Sequence, residues 1–183
     1  MAGIFQSDRE KSYDSKKMPL FIVSGASSVG KTSACEILFL KESRYIVMES
    51  DLLWREEFDT PEDNYREHRE TWMRVCASIS QIGLLVVLCG CGLPEQFEVC
   101  DARQLFTDIH YIAVVCEEKE LERRMREGRG ITDTDWLESS RHFNGWLKQH
   151  AGETVPPVSL IDNTNLTPEQ TADEIDSWIE GWL

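Results

Sequence analysis

Apolar positions along the chain follow two rhythms. Nearly continuous runs of Val, Ile and Leu occur at Leu20–Ser24, Tyr45–Glu49, Leu84–Leu88, Ile109–Cys116 and Val158–Ile161. Runs that do not alternate with polar residues predict strands buried on both faces, as in a parallel sheet covered by helices. Between them the spacing becomes helical. Leu121 and Met125 lie four apart in "EEKELERRMREG", with Glu and Arg on the opposite face and Gly128 as a stop. The segment "TPEQTADEIDSWIEGWL" opens with Thr167 as N-cap, Pro168 in the first turn and Gln170 in the capping-box position. Ala172, Ile175, Trp178 and Ile179 then supply its buried stripe. Residues 56–80 are helical in pattern but richly charged, which places them at the periphery. Strand and helix in alternation predict an α/β fold in three layers, an open parallel five-stranded sheet with helices on both faces.

Composition leaves that picture intact. With 183 residues, 41% hydrophobic and 28% charged, the chain is long enough for one core and short for two. A flexible polar tail is expected over residues 1–17 and a single domain over 18–183. The formal charge of −14 and the pI near 4.7 argue against a nucleic-acid polymer as partner, because a phosphate backbone would be repelled. A small anionic ligand is still compatible, since a local site can oppose the global field. The sequence has no apolar run of about eighteen residues and no hydrophobic leader core, which predicts a cytoplasmic protein without a membrane partner. Cys35, Cys76, Cys89, Cys91, Cys100 and Cys116 mostly sit in or beside apolar runs, so packed, reduced thiols are expected rather than a disulfide framework. Cys89 and Cys91 alone make a poor zinc signature.

One junction carries chemistry. In "LFIVSGASSVGKTSACEILFL" a buried strand gives way to small residues and then to helix formers. Gly25-Ala26-Ser27-Ser28-Val29-Gly30-Lys31-Thr32 fits G-x-x-x-x-G-K-[ST], with a strand before it and a helix after. Small residues let the backbone curl so that successive N–H groups meet phosphate oxygens, and the helix opening near Gly30 adds its positive dipole end. Gly25, Ser27, Ser28, Val29 and Gly30 are expected to cradle the phosphates, Lys31 to reach the β- and γ-phosphates, and Thr32 to hold Mg²⁺. Ser33 adds a hydroxyl near the α-phosphate. The second strand runs into "YIVMESDLLW", and alternate residues of a strand point the same way. Glu49 and Asp51 are therefore candidates for the metal and phosphate region, Asp51 as base for an attacking hydroxyl and Glu49 on the metal. Capping the following helix is the other role open to Asp51.

Residues 25–32 resemble the Walker A loop of P-loop nucleoside triphosphate-binding proteins. The third strand, "GLLVVLCGCGLPEQF", lacks the Asp of a Walker B strand and ends in the small turn Gly90-Cys91-Gly92. In this it is similar to P-loop kinases of small metabolites, such as shikimate, gluconate and chloramphenicol kinases, while "CEEKELERRMREGRG" resembles the lid of adenylate-kinase-like enzymes. The resemblance runs from about Leu20 to Trp178. It implies ATP and Mg²⁺ as cofactors, a lid over about 126–142 and an acceptor-binding insert over about 52–82. On this pattern Arg126 and Arg129 are expected to act in phosphoryl transfer, with Arg141 as a third lid residue. Arg123 and Arg124 are expected instead to pair with Glu118, Glu120 and Glu127 on an exposed helix. Asn163 and Thr164, after the last strand, are candidates for the adenine contact or for local turn bonding.

The insert contains Trp54, Arg55, Arg66 and Arg69, which together with Glu49 and Gly90 form the expected acceptor contacts. Rings stack on a base, and arginines grip anions. Tyr65, Trp72 and Met73 have core anchoring as their other role. The expectation is transfer of the γ-phosphoryl group of ATP to a hydroxyl of a small metabolite, most simply a nucleoside, by a monomer or homodimer. Two alternatives stay open at this point: a nucleoside monophosphate kinase, which needs an arginine clamp rather than a base, and a nucleotide-binding regulatory domain that hydrolyses ATP.

Overall fold

A computed structural model describes residues 17–41 and 44–183, so the predicted tail, Lys17 apart, lies outside the described residues. Its five strands are β1 (Leu20–Ser24), β2 (Tyr45–Glu49), β3 (Leu85–Cys89), β4 (Ile109–Val115) and β5 (Val158–Asp162). All pair in parallel, in the order β2-β3-β1-β4-β5. The continuous apolar runs predicted each of them to within one residue at either end. Burial on both faces is the reason: every residue of β1 and β3 is buried.

Alternation along β1 divides the interior into two cores. Phe21 and Val23 pack with Ala34, Cys35 and Leu38 of α1 (Lys31–Leu40) and with Ala172, Ile175 and Ile179 of α6 (Pro168–Glu180). Leu20 and Ile22 point the other way, towards Trp72, Met73 and Cys76 of α2 (Arg66–Ser80) and Phe97 of α3 (Pro94–Glu98). Leu121 of α4 (Glu118–Arg123) belongs to the first core, whereas α5 (Thr134–His150) gives Leu137 to the first and Leu147 to the second. The capping box forms at the start of α6. Gln170 N–H donates to Thr167 Oγ1 at 3.2 Å, and Thr167 N–H donates to Gln170 Oε1 at 2.9 Å.

Three local features depart from the sequence reading. Residues 56–80 do not form one helix. Short 3₁₀ turns at Ser50–Leu53, Glu56–Phe58 and Pro61–Asp63 precede α2, and Asn64 and Tyr65 both adopt φ of 59°. Pro61 has no N–H to continue a helix, and two consecutive left-handed residues reset the chain direction before Arg66. Beyond α4 the helix widens into a π-turn, Arg124–Gly128, which rotates the side chains that follow. Finally, Cys35 and Cys89 are joined as a disulfide, contrary to the expectation of thiols throughout. The same apolar packing that buries α1 on the sheet brings these two sulfurs together at the end of β3. Cys76, Cys100 and Cys116 are buried free thiols, as expected, and Cys91 is exposed. Burial pushes Cys76 up to about 12 and Cys116 up to about 11.

Candidate phosphate and acceptor site

The turn between β1 and α1 is built from backbone that side chains would obstruct. Gly25 has φ of 143°, and a Cβ there would stand 2.5 Å from the Val114 carbonyl oxygen. Gly30 has φ of 109°, and Ser28 takes a left-handed φ of 62°. Helix α1 starts immediately after, with no side chain capping its first turn. Its first N–H groups are thus left for an anion. Lys31 Nζ donates to the carbonyls of Gly25 at 2.6 Å and Ala26 at 2.8 Å, folded over the loop it is expected to serve.

A polar cavity of about 780 Å³ opens over this turn. Ser28, Gly30, Lys31, Thr32 and Ser33 line it from the loop, Asp51 from the end of β2, and Arg124 and Arg129 from the segment after β4. Asn163, Thr164, Asn165 and Thr167 close it from the β5–α6 turn. Thr32 Oγ1 donates to Glu49 Oε2 at 3.3 Å. Hydroxyl and carboxylate oxygens side by side are the hard donors that Mg²⁺ takes, so Thr32 and Glu49 fit the ion. Burial holds the Glu49 carboxyl above its ordinary range, with the Asp51 charge adding to the rise and the Thr32 hydrogen bond opposing it. Its carboxylate also lies within 4.8 Å of both disulfide sulfurs.

The arginines divide differently from the sequence expectation. Arg129 reaches the loop, with Nη1 3.4 Å from Ser27 Oγ and 3.5 Å from Ser28 Oγ, and lies 5.7 Å from the centre of the Trp136 ring. Arg124, expected on an exposed helix face, is half-buried and ties the site together. It donates to Val29 O at 2.7 Å, Asn163 Oδ1 at 3.0 Å, Asn163 O at 3.1 Å and Glu120 Oε1 at 2.7 Å. Arg123 does pair with Glu120 and Glu127. Hydrogen bonds from Arg123 and Arg124 hold Glu120 down to about 2. Arg126 instead pairs with Glu122 at 2.8 Å and lines a separate cavity with Arg141, which pairs with Glu118. Two residues apart on a helix, Arg124 and Arg126 project to opposite sides, Arg124 inward and Arg126 outward.

Asn163 is buried with its amide on Val29 O at 2.9 Å, so its side chain braces the loop rather than facing the cavity freely. Thr164 accepts from Glu117 N–H at 2.8 Å and donates to Asp162. Thr164 thus bonds partly within its own turn and Asn163 across the chain, both while lining the cavity; Asn165 beside them was not singled out from sequence, and Thr167 was read there only as the N-cap.

A second, less polar cavity of about 240 Å³ adjoins the first, lined among others by Asp51, Trp54, Asp59, Tyr65, His68, Arg69, Trp72, Gly90 and Cys91. Asp51 lines both cavities. The carbonyl of Ser50, its neighbour, accepts from Trp72 Nε1 at 2.7 Å and from His68 Nε2 at 3.1 Å, which fixes the backbone that carries Asp51. Its side chain caps no helix: Glu49 occupies the N-cap position and offers no side-chain bond. Trp54 lies 5.9 Å from Tyr65 and 5.3 Å from His68, ring centre to ring centre. Arg55 is exposed outside this cavity, and so is Arg66, which donates to Val99 O at 3.1 Å and pairs with Asp101 at 3.6 Å. Trp72 and Met73 are buried anchors of α2, and Trp72 serves the cavity as well.

Neither a family model nor a curated protein sequence matches the chain. Solved structures do. A gluconokinase from Sinorhizobium meliloti 1021 superposes with TM-score 0.63 at 17% identity, over 90% of this chain and 93% of that one. The tunicamycin resistance protein of Deinococcus radiodurans gives 0.62 at 13%, over 90% and 96%. Shikimate kinase from Acinetobacter baumannii, in complex with shikimate, gives 0.57 at 13%, over 91% and 95%. At such identities the likeness is one of fold, and the fold is that of the P-loop kinase-like proteins.

Proposed function

We propose that this chain is an ATP-dependent kinase that transfers the γ-phosphoryl group to a hydroxyl of a small metabolite, with a nucleoside as the simplest acceptor. One observation carries the reading. Asp51 lies on the boundary between the phosphate cavity and the ring-lined cavity, where a base must stand to serve a hydroxyl in one and a phosphate in the other. Kinase-like folds of known structure that act on small molecules support it.

In this mechanism the 25–32 turn and Lys31 hold the triphosphate, Lys31 leaving the loop carbonyls to neutralise the β- and γ-oxygens. Thr32 and Glu49 would hold Mg²⁺, which supplies further charge neutralisation on the phosphates. Asp51 accepts the hydroxyl proton as the new P–O bond forms and the bond to the β–γ bridging oxygen breaks. Arg124 and Arg129 face the developing charge, and Trp54 and Tyr65 hold the acceptor's ring. Reaction within a cytoplasmic compartment, as a monomer or homodimer, completes the proposal. The test is Asp51→Asn, assayed for ATP consumption against nucleosides and sugars. The expected loss is about 100-fold or more in kcat with acceptor KM little changed. An unchanged kcat would remove Asp51 from the chemistry, and turnover indifferent to every acceptor would favour a regulatory ATPase instead.

A further inference from the structure

The second cavity has a charge character that bears on which acceptors it takes, an inference that rests on the kinase reading above. Two carboxylates, Asp51 and Asp59, line it, against Arg69 as its one cation among the described residues. That arginine is partly engaged already. Its Nε donates to Gln96 O at 3.3 Å and its Nη2 to Asn64 O, and the Asp63 carboxylate acts on it from outside the cavity. Two of its five N–H groups are thus spent on backbone carbonyls, and its single positive charge stands against two carboxylates. His68 brings no compensating charge. Its Nε2–H is donated to Ser50 O, burial disfavours its protonated form, and Nδ1 is left as an acceptor. The arginines that would clamp an anion, Arg55 and Arg66, lie outside. What remains is a small, ring-lined chamber with excess negative charge, the combination that attracts cations through aromatic faces and carboxylates together.

We propose that the acceptor is a hydroxyl compound bearing no anionic group, neutral or carrying a protonated amine, with its ring or apolar body against Trp54 and Tyr65 and the amine towards Asp59. Nucleoside monophosphates and sugar acids are excluded as acceptors on this ground. An anion placed here meets two carboxylates against one guanidinium already bonded to the backbone, a juxtaposition that costs binding.

Matched acceptors test it: a nucleoside beside its 5′-monophosphate, and glucose and glucosamine beside gluconate. Transfer is read as acceptor-dependent ADP release, and binding separately by calorimetry with a non-hydrolysable ATP analogue bound. The uncharged or cationic member of each set should exceed the anionic one on the order of 100-fold in kcat/KM and in affinity. Asp59→Lys, a change at an exposed position, should shrink that gap at least about tenfold. Anionic members that bind or react as well as their partners, or binding by no member at all, would overturn the inference while leaving ATP-dependent transfer intact wherever it is seen. Charge-selective binding with ATP turnover that no acceptor stimulates would instead sink the kinase reading and keep the selectivity.

Discussion

Replacing Gly90 with alanine perturbs the site through a single contact. A Cβ built at Gly90 falls 2.4 Å from Ser50 Oγ and 3.1 Å from Ser50 Cβ. Restoring an ordinary 3.4 Å contact requires the hydroxyl to retreat by about 1 Å, and the Cβ must give as well. Rotating the hydroxyl relieves only the first clash. Backbone retreat is opposed by Trp72 Nε1 and His68 Nε2, both bonded to the Ser50 carbonyl at 2.7 and 3.1 Å. The strain therefore passes to Asp51, one residue on. Overpacking of this kind costs about 1–3 kcal/mol, which for a domain this size lowers Tm by roughly 2–12 °C. A displacement approaching 1 Å at a reacting group costs up to about 100-fold in rate. We expect Gly90→Ala to reduce kcat between about 10- and 100-fold while ATP Kd, set across the sheet edge by the 25–32 turn, moves less than about twofold. Assaying Gly90→Ala in a Ser50→Gly background separates cause from accident. Removing both Ser50 atoms should cancel most of the loss, with a coupling of at least about 1 kcal/mol. Wild-type kcat in Gly90→Ala, or an identical drop with and without Ser50, would refute the reasoning.

Three further perturbations bear on the loop and its braces. Arg124→Ala removes donors from Val29 O, Glu120 and both oxygens of Asn163, so ATP affinity should fall at least about tenfold, whereas Arg126→Ala should leave it within about twofold; equal losses would return Arg126 to the phosphates. The same Arg124 variant should unfold at higher pH in acid titrations. Glu120 is held near 2 when folded, below its unfolded value of about 4.3, so its contribution is full above that value and lost as pH falls towards 2. Asn163→Ala leaves Val29 O with Arg124 alone and opens space beside Gly30, and it should weaken ATP binding several-fold with kcat less affected; a loss confined to kcat would contradict a bracing role.

Much of this architecture was legible because its signals are local. Five uninterrupted apolar runs, the loop spacing from Gly25 to Thr32 and the Thr167–Gln170 capping box each state their outcome within a few residues. The misreadings came where the outcome depends on a long-range or geometric event. Arg124 and Arg126 carry the same chemistry in "ERRMREG", and only the packing of α4 against the 25–32 turn and Asn163 decides which one the cavity takes. Asn64 and Tyr65 interrupt a helical pattern by adopting left-handed backbone, which no residue preference at Tyr65 announces. Cys35 and Cys89 look like packed thiols in sequence, and their bond arises because α1 lies over the end of β3. The Trp72 and His68 bonds to Ser50 span 22 and 18 residues, so the positioning of Asp51 had no sequence signature at all.

Titrating Mg·ATP into the protein by calorimetry, with Lys31→Ala in parallel, addresses the central claim that the turn at residues 25–32 grips a triphosphate. A saturable one-to-one heat in the native chain, weakened at least about 30-fold in Lys31→Ala with Tm preserved, is the predicted result. No heat at millimolar Mg·ATP, or the same affinity in both proteins, would contradict it.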